Sequence, residues 1–279
     1  MSNIWGDKQY ELRARIILPL LVRQAQAQQP ITYDALSQET GIHRRAFRHP
    51  LGMVAEALHE LGVSWGEAVP ALTSMVIYKD TGRPGPGFGW AVTGMDDYAR
   101  LPAWQQKAEA DRIRRECFHY HKWPAVLAEL GLPPVEPAVS PALVNAARGG
   151  VGEGEAHRRL KEYVAANPGR IGLARSAAPG KMEYLLPSAD AIDVLFEHKS
   201  KHERVAVEVK AANAGTADIL RGLFQCVKYE ALLAAEQAVT GEPAGSRAVL
   251  VLEGKLPDEL VAARNTLGIT VFERVSPVS

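Results

Sequence analysis

Cysteine is scarce in this chain: Cys117 and Cys226 are the only two among 279 residues. Two thiols exclude a disulfide framework and fit a reducing compartment. Neither sign of charge is in excess, since 32 basic residues balance 32 acidic ones. A diffuse polycation is excluded, whereas local basic patches are not. No apolar run approaches the roughly 20 residues that span a bilayer. The opening stretch MSNIWGDKQYELRARI has no basic segment followed by an apolar one, so no signal peptide is read there. The expectation is a cytoplasmic protein with no membrane partner. Several catalytic signatures are missing as well. The histidines form no Ser/His/Asp or His/Glu metalloprotease pattern. Nothing near Cys226 supplies the base that a thiol nucleophile needs. The stretch GGVGEGE (149–155) lacks the lysine and hydroxyl of a phosphate-binding loop, and its glutamates repel phosphate. No organic cofactor is expected.

What is present begins with apolar residues, 47% of the chain, enough for two ordinary cores. The stretch GLPPVEPAVSPALVNAARGGVGEGE has prolines early and glycines late, a stiff segment followed by a loose one. It divides the chain into a first domain over 1–130, a linker over 131–153 that includes a possible short helix in PALVNAAR, and a second domain over 154–279. In the first domain, Thr32 is an expected N-cap and Gly41 an expected stop for one short helix. A second helix, from about Arg44 to Leu61, places Phe47, Leu51, Val54, Leu58 and Leu61 on one face. Two helices with a glycine-containing turn resemble a helix-turn-helix. ALTSMVIYKDTGRPGPGFGWAV then reads as a strand, a Gly/Pro turn and a return strand, and the whole looks like a winged helix.

His43, Arg44, Arg45, Arg48 and His49 lie where a recognition helix would meet phosphate. The plainer alternative is a solvated helix face. Arg112, Arg114, Arg115 and Lys122 form a second basic group further on. Cys117 and His121 in CFHYH are four apart on one predicted helix, but structural zinc wants four ligands and no second pair is evident.

The second domain reads helix (EAHRRLKEYVAANP), three strands (KMEYLLP, AIDVLFE, RVAVEVK), a long helix (TADILRGLFQCVKYEALLAAEQA), then strand, helix and strand (RAVLVLE, PDELVAARNTLG, ITVFERV). The order αβββαβαβ implies an α/β fold: a mixed sheet flanked by helices, with an antiparallel hairpin first and a parallel crossover last. Charges stand out in the Val-rich hairpin. A turn centred between Ser200 and Lys201 sets Asp193 opposite Glu208, and strand alternation points Glu208 and Lys210 to the same side. Asp193, Glu208 and the backbone carbonyl of Val209 make a hard-oxygen set suited to Mg²⁺, with Mn²⁺ as a substitute. Lys210 beside them can position water and neutralise developing negative charge. An isolated Glu-x-Lys at a strand end would instead be an ordinary surface pair, worth about 0–1 kcal/mol.

The pattern is not isolated. Asp193 on the second strand, Glu208-Val209-Lys210 on the third and Gln225-Cys-Val-Lys-Tyr229 on the long helix resemble the PD-(D/E)XK nuclease superfamily, in its Gln-x-x-x-Tyr branch. Ile192 stands where the family name has proline. The resemblance covers about residues 150–279 and implies a restriction-endonuclease-like fold and Mg²⁺-dependent hydrolysis of phosphodiester bonds in DNA. It further implies a helical acid, for which Glu155 fits best, with Glu153, Glu162 and His157 as alternatives, and a positioning or bracing role for Gln225 and Tyr229. Arg221 and Lys228 are candidate phosphate contacts, or else a solvated helix flank. The expected partner is DNA, with a homodimer as one way to supply two sites. Repair, restriction and defence are all compatible. The alternative is a non-cutting DNA-binding protein that keeps the fold as a scaffold or dimerisation surface.

Overall fold

The computed structural model describes residues 5–92, 98–148, 154–174, 177–198, 203–241 and 245–277. The chain divides into two compact units, Met1–Pro137 and Ala138–Ser279. No helix among the described residues is long and apolar enough to cross a membrane.

In the first unit, α1 (Gln9–Gln26) and α3 (Arg48–Trp65) form the centre, with Ile17, Leu18, Leu21, Val54, Ala57 and Leu58 buried in one core. Between them lie β1 (Ile31–Thr32) and α2 (Tyr33–Thr40). Thr32 caps α2 by accepting the Ala35 N–H at 3.1 Å, and Gly41 ends it in the left-handed conformation, φ +68°. The expected start of the next helix at Arg44 is corrected. Arg44–Ala46 form one 3-10 turn and α3 begins at Arg48. Pro50 explains the limit, because its ring clashes with a helical carbonyl four residues earlier.

The winged-helix expectation is corrected in one element. β2 (Val76–Ile77) pairs in parallel with β1, Ile31 facing Val76. The return strand does not form, and Pro86–Ala91 is a 3-10 helix instead. Pro84 and Pro86 have no N–H for a strand ladder. α4 (Ala103–His119) and α5 (Trp123–Glu129) complete the unit.

The second unit includes part of the expected linker. α6 (Pro141–Ala146) is capped by Ser140, whose hydroxyl accepts the Leu143 N–H at 3.3 Å, and Ala147 just after it is buried in this unit's core. Residues 131–137 belong to the first unit. The linker's glycine-rich end, 149–153, lies outside the described residues, and Glu153 with it.

The remaining elements are α7 (Glu155–Ala166), β3 (Lys181–Leu185), β4 (Ala191–His198), β5 (Glu203–Lys210), α8 (Thr216–Thr240), β6 (Ser246–Leu252), α9 (Val261–Leu267) and β7 (Thr270–Phe272). The five strands lie side by side in sequence order. β3, β4 and β5 are mutually antiparallel, and β5, β6 and β7 are parallel, so the fold is a mixed α/β sheet. Alternation along β5 builds two layers. Val205, Val207 and Val209 pack with Leu160 and Val164 of α7, while Ala206 packs with Leu220 and Leu223 of α8. Glu208 and Lys210 fall on the α8 side of that alternation. Val194 faces Val207 and His198 faces Glu203, the register that the symmetric turn requires; the turn itself lies outside the described residues.

Candidate active site

The ladder between β4 and β5 stops at Val194 and Val207, one residue before Asp193 and Glu208. There the strands part. β5 stays paired to β6, with Glu208 opposite Leu250, and β4 stays paired to β3, with Ile192 opposite Tyr184. Parting leaves backbone groups to be satisfied by side chains. The Asp193 carboxylate accepts the Val209 N–H at 2.8 Å, and His157 Nε2 lies 3.0 Å from the Val209 carbonyl and 3.4 Å from Asp193 Oδ2.

Asp193, Glu208 and Lys210 are all buried, with Glu208 only 3% exposed. Charges so placed need partners. Lys210 Nζ lies 3.0 Å from Glu208 Oε1 and 3.3 Å from Asp218 Oδ1 at the start of α8. Asp218 is in turn 3.1 Å from Arg221 Nη1, and Arg221 Nε donates to the Ala147 carbonyl at 3.0 Å. On the other side, Lys161 of α7 lies 4.0 Å from Asp193 Oδ1 and is ion-paired with Glu183 of β3. Signs therefore alternate from Glu183 through Lys161 to Asp193, and from Glu208 through Lys210 and Asp218 to Arg221. The one like-charged junction is Asp193 against Glu208.

That junction shows in the acidity of Glu208. Burial raises its carboxyl, the neighbouring Asp193 charge raises it further, and Lys210 offsets only part, leaving it at about 8. Burial works to lower the Lys210 ammonium, but the Glu208 and Asp218 carboxylates outweigh it and hold the group above its ordinary value. Space for this cluster comes from Gly222 of α8. A methyl group there would lie 2.9 Å from Leu250 Cδ1 and 3.0 Å from Lys210 Cε. Below it Cys226 is buried with its thiol pushed well up, mainly by desolvation, and is inert as a nucleophile.

The donor set fits a hard divalent cation. Two carboxylates of like charge meet without a cation between them, and the Val209 carbonyl keeps a second lone pair beyond the His157 contact. Among the described residues no group of three or more His, Cys, Asp or Glu side chains forms a metal cage. The protein would thus supply only part of the shell, as suits an ion that keeps waters and accepts phosphate oxygens.

The structure brings together Asp193, Glu208, Val209 and Lys210, as the sequence suggested, and adds His157, Lys161, Asp218 and Gly222. Glu155 is corrected as the helical partner: its exposed side chain pairs with Arg158, which holds its carboxyl below the ordinary range. Glu162 also pairs with Arg158. His157 takes the inward position. Tyr229 donates to the Ala191 carbonyl at 2.8 Å and so braces β4 two residues before Asp193, while Gln225 Nε2 lies 3.5 Å from the same phenol. Gln225 Oε1 is buried and takes no hydrogen bond from the described residues. Arg221 and Lys228 are engaged by Asp218 and Asp190.

In the first unit His43, Arg44, Arg45, Arg48 and His49 are exposed, with Arg44 3.3 Å from Asp34. The second basic group is corrected. Arg112 pairs with Glu109 and Glu116, Arg114 is buried against Asp111 and the Ser74 carbonyl, and Lys122 pairs with Glu67. Cys117 is buried while His121 lies beyond the end of α4, which separates that pair. Comparison with protein-family models, curated proteins and solved structures finds no match to this chain.

Proposed function

We propose that this chain is a metal-dependent nuclease that hydrolyses phosphodiester bonds in DNA, with a second unit resembling the PD-(D/E)XK superfamily. The observation that carries the reading is the buried Asp193–Glu208 junction, flanked on its far sides by Lys161 and Lys210 and located where two strands part. Asp193 and Glu208 would hold Mg²⁺ or Mn²⁺, with Val209 offering its carbonyl. Such an ion, when bound, supplies charge neutralisation at the phosphoryl group and lowers the pKa of a coordinated water.

The chain's own side chains do the rest. Lys210, held by Glu208 and Asp218, presents a fixed ammonium to the attacking water and to the negative charge that develops on phosphate oxygen. His157 fixes the Val209 peptide and one oxygen of Asp193, so the first carboxylate is oriented before substrate arrives. Tyr229 holds the strand that carries Asp193. The exposed cations around Arg45 and Arg48 give the first unit an electrostatic footprint for the DNA backbone.

The test is cleavage of supercoiled plasmid and of linear single-stranded DNA in Mg²⁺, Mn²⁺ or EDTA. Folded Asp193→Ala and Lys210→Ala proteins are run beside wild type. Metal-dependent cutting that falls by about 10²-fold or more in both variants is expected. Cutting that survives both substitutions would place the site elsewhere, and no cutting on any substrate would favour a DNA-binding scaffold.

A further inference from the structure

Glu183 is the residue of β3 that stands across from Asp193, between the registered pairs Met182–Val194 and Tyr184–Ile192. Its backbone is left-handed, φ +52°, inside a strand. Residues with a Cβ rarely adopt that conformation, and an outlier kept beside buried charges is a reason to look for a function. Its side chain is 55% exposed, yet it caps Lys161, whose side chain is only 4% exposed. A solvated carboxylate thus lies over a buried ammonium that also faces Asp193 at 4.0 Å.

We propose that Lys161 is a phosphate-contacting residue of this site and that Glu183 is its resting counterion, displaced when a phosphate of the nucleic-acid backbone arrives. The proposal rests on the nuclease reading above and adds a substrate contact and an autoinhibitory one to it. Physical economy favours the exchange. An ion pair with a half-exposed partner is weak, because water competes for the carboxylate. A backbone phosphate brings a full negative charge and further acceptor oxygens, and its binding releases counterions from the polymer. Lys161 itself stays in place, held within the α7 packing that buries Leu160 and Val164. Glu183 is the mobile member of the pair by its exposure and by its place on the sheet's edge strand.

The experiment measures fluorescence anisotropy of a labelled single-stranded oligonucleotide and of its duplex with the full chain in Mg²⁺. A Lys210→Met background prevents cutting. Glu183→Gln, a surface change that spares the core, is expected to tighten binding roughly threefold to tenfold and to steepen the dependence of log K on log salt by about one phosphate contact. Glu162→Gln removes one negative charge from the exposed face of α7 and controls for general electrostatics; it should change neither quantity comparably. Adding Lys161→Met to Glu183→Gln should erase the gain.

Unchanged affinity and slope in Glu183→Gln, while the parent protein binds DNA, would overturn the proposed exchange and leave the nuclease reading standing. A gain that persists without Lys161, or that Glu162→Gln reproduces, would overturn it equally. Absence of DNA binding by every variant would remove the nuclease reading and this proposal together.

Discussion

Glu208 pays for its position in acidity. It is buried beside Asp193, and its carboxyl is raised to about 8 even with Lys210 in contact. A raised carboxyl means that the folded chain keeps a proton the unfolded chain has already released. Stability of the metal-free protein therefore falls as pH rises from the ordinary carboxylate range to about 8, and levels off beyond. Glu208→Gln has no such proton to lose, so its Tm advantage over wild type should widen across that window. Thermal unfolding in EDTA between roughly pH 5 and 9 checks this, and a Tm difference independent of pH would contradict the assigned environment. The same residue scale separates what the sequence made legible from what it did not. Asp193 and Glu208 could be paired from numbering alone, because a symmetric hairpin fixes which residues face each other. The helical partner needed phase as well as proximity. His157 lies on the stripe of α7 that carries the buried Leu160 and Val164, whereas Glu155 points away to Arg158. Helical periodicity applied to that stripe would have chosen His157.

Among the elements, α8 shows how a helix can be both core and active-site wall. Its apolar residues Leu220, Leu223 and Leu233 pack on the sheet, and Gly222 lets it approach Lys210 and Leu250 closely. Gly222→Ala sets two effects against each other. Alanine gains about 1 kcal/mol in helix propensity, and the added methyl costs about 1–3 kcal/mol by overpacking. Net stability should change by no more than about 2 kcal/mol, while displacement of the Lys210 side chain lowers metal-dependent cleavage by more than about tenfold. Parallel urea unfolding and cleavage rates distinguish the two; unaltered cleavage would show that Lys210 is not positioned by this contact. The order of strands and helices in this unit was legible because each strand is a Val-rich run bounded by Gly, Pro or polar residues. The expected wing of the first unit was not, since Pro84 and Pro86 forbid the ladder that its apolar residues suggested. The short α6 was foreseen as a possibility, but its burial depends on Ala147 meeting the α8 layer, a tertiary contact that no local pattern announces.

For the whole molecule, composition excluded more than it identified. A formal charge of zero hides a division of labour among 32 cations: those of 43–49 are largely exposed, whereas Arg112, Arg114, Lys122, Arg221 and Lys228 are tied to acids within their own unit. Partnering of this kind is a tertiary property, which is why basic clusters in a sequence overstate the surface available to phosphate. The chemistry is concentrated instead at the junction of Asp193 and Glu208, where the alternation of charge fails and a divalent cation would restore it. Titration of Mn²⁺ into the full chain, read by the loss of the free-ion electron paramagnetic resonance signal, addresses that junction without requiring any substrate. Saturable binding in wild type that is lost in both Asp193→Ala and Glu208→Ala, each shown to be folded, is the expected result. Binding that persists undiminished in both variants, or wild-type protein that leaves the free-ion signal untouched at millimolar Mn²⁺, would contradict it.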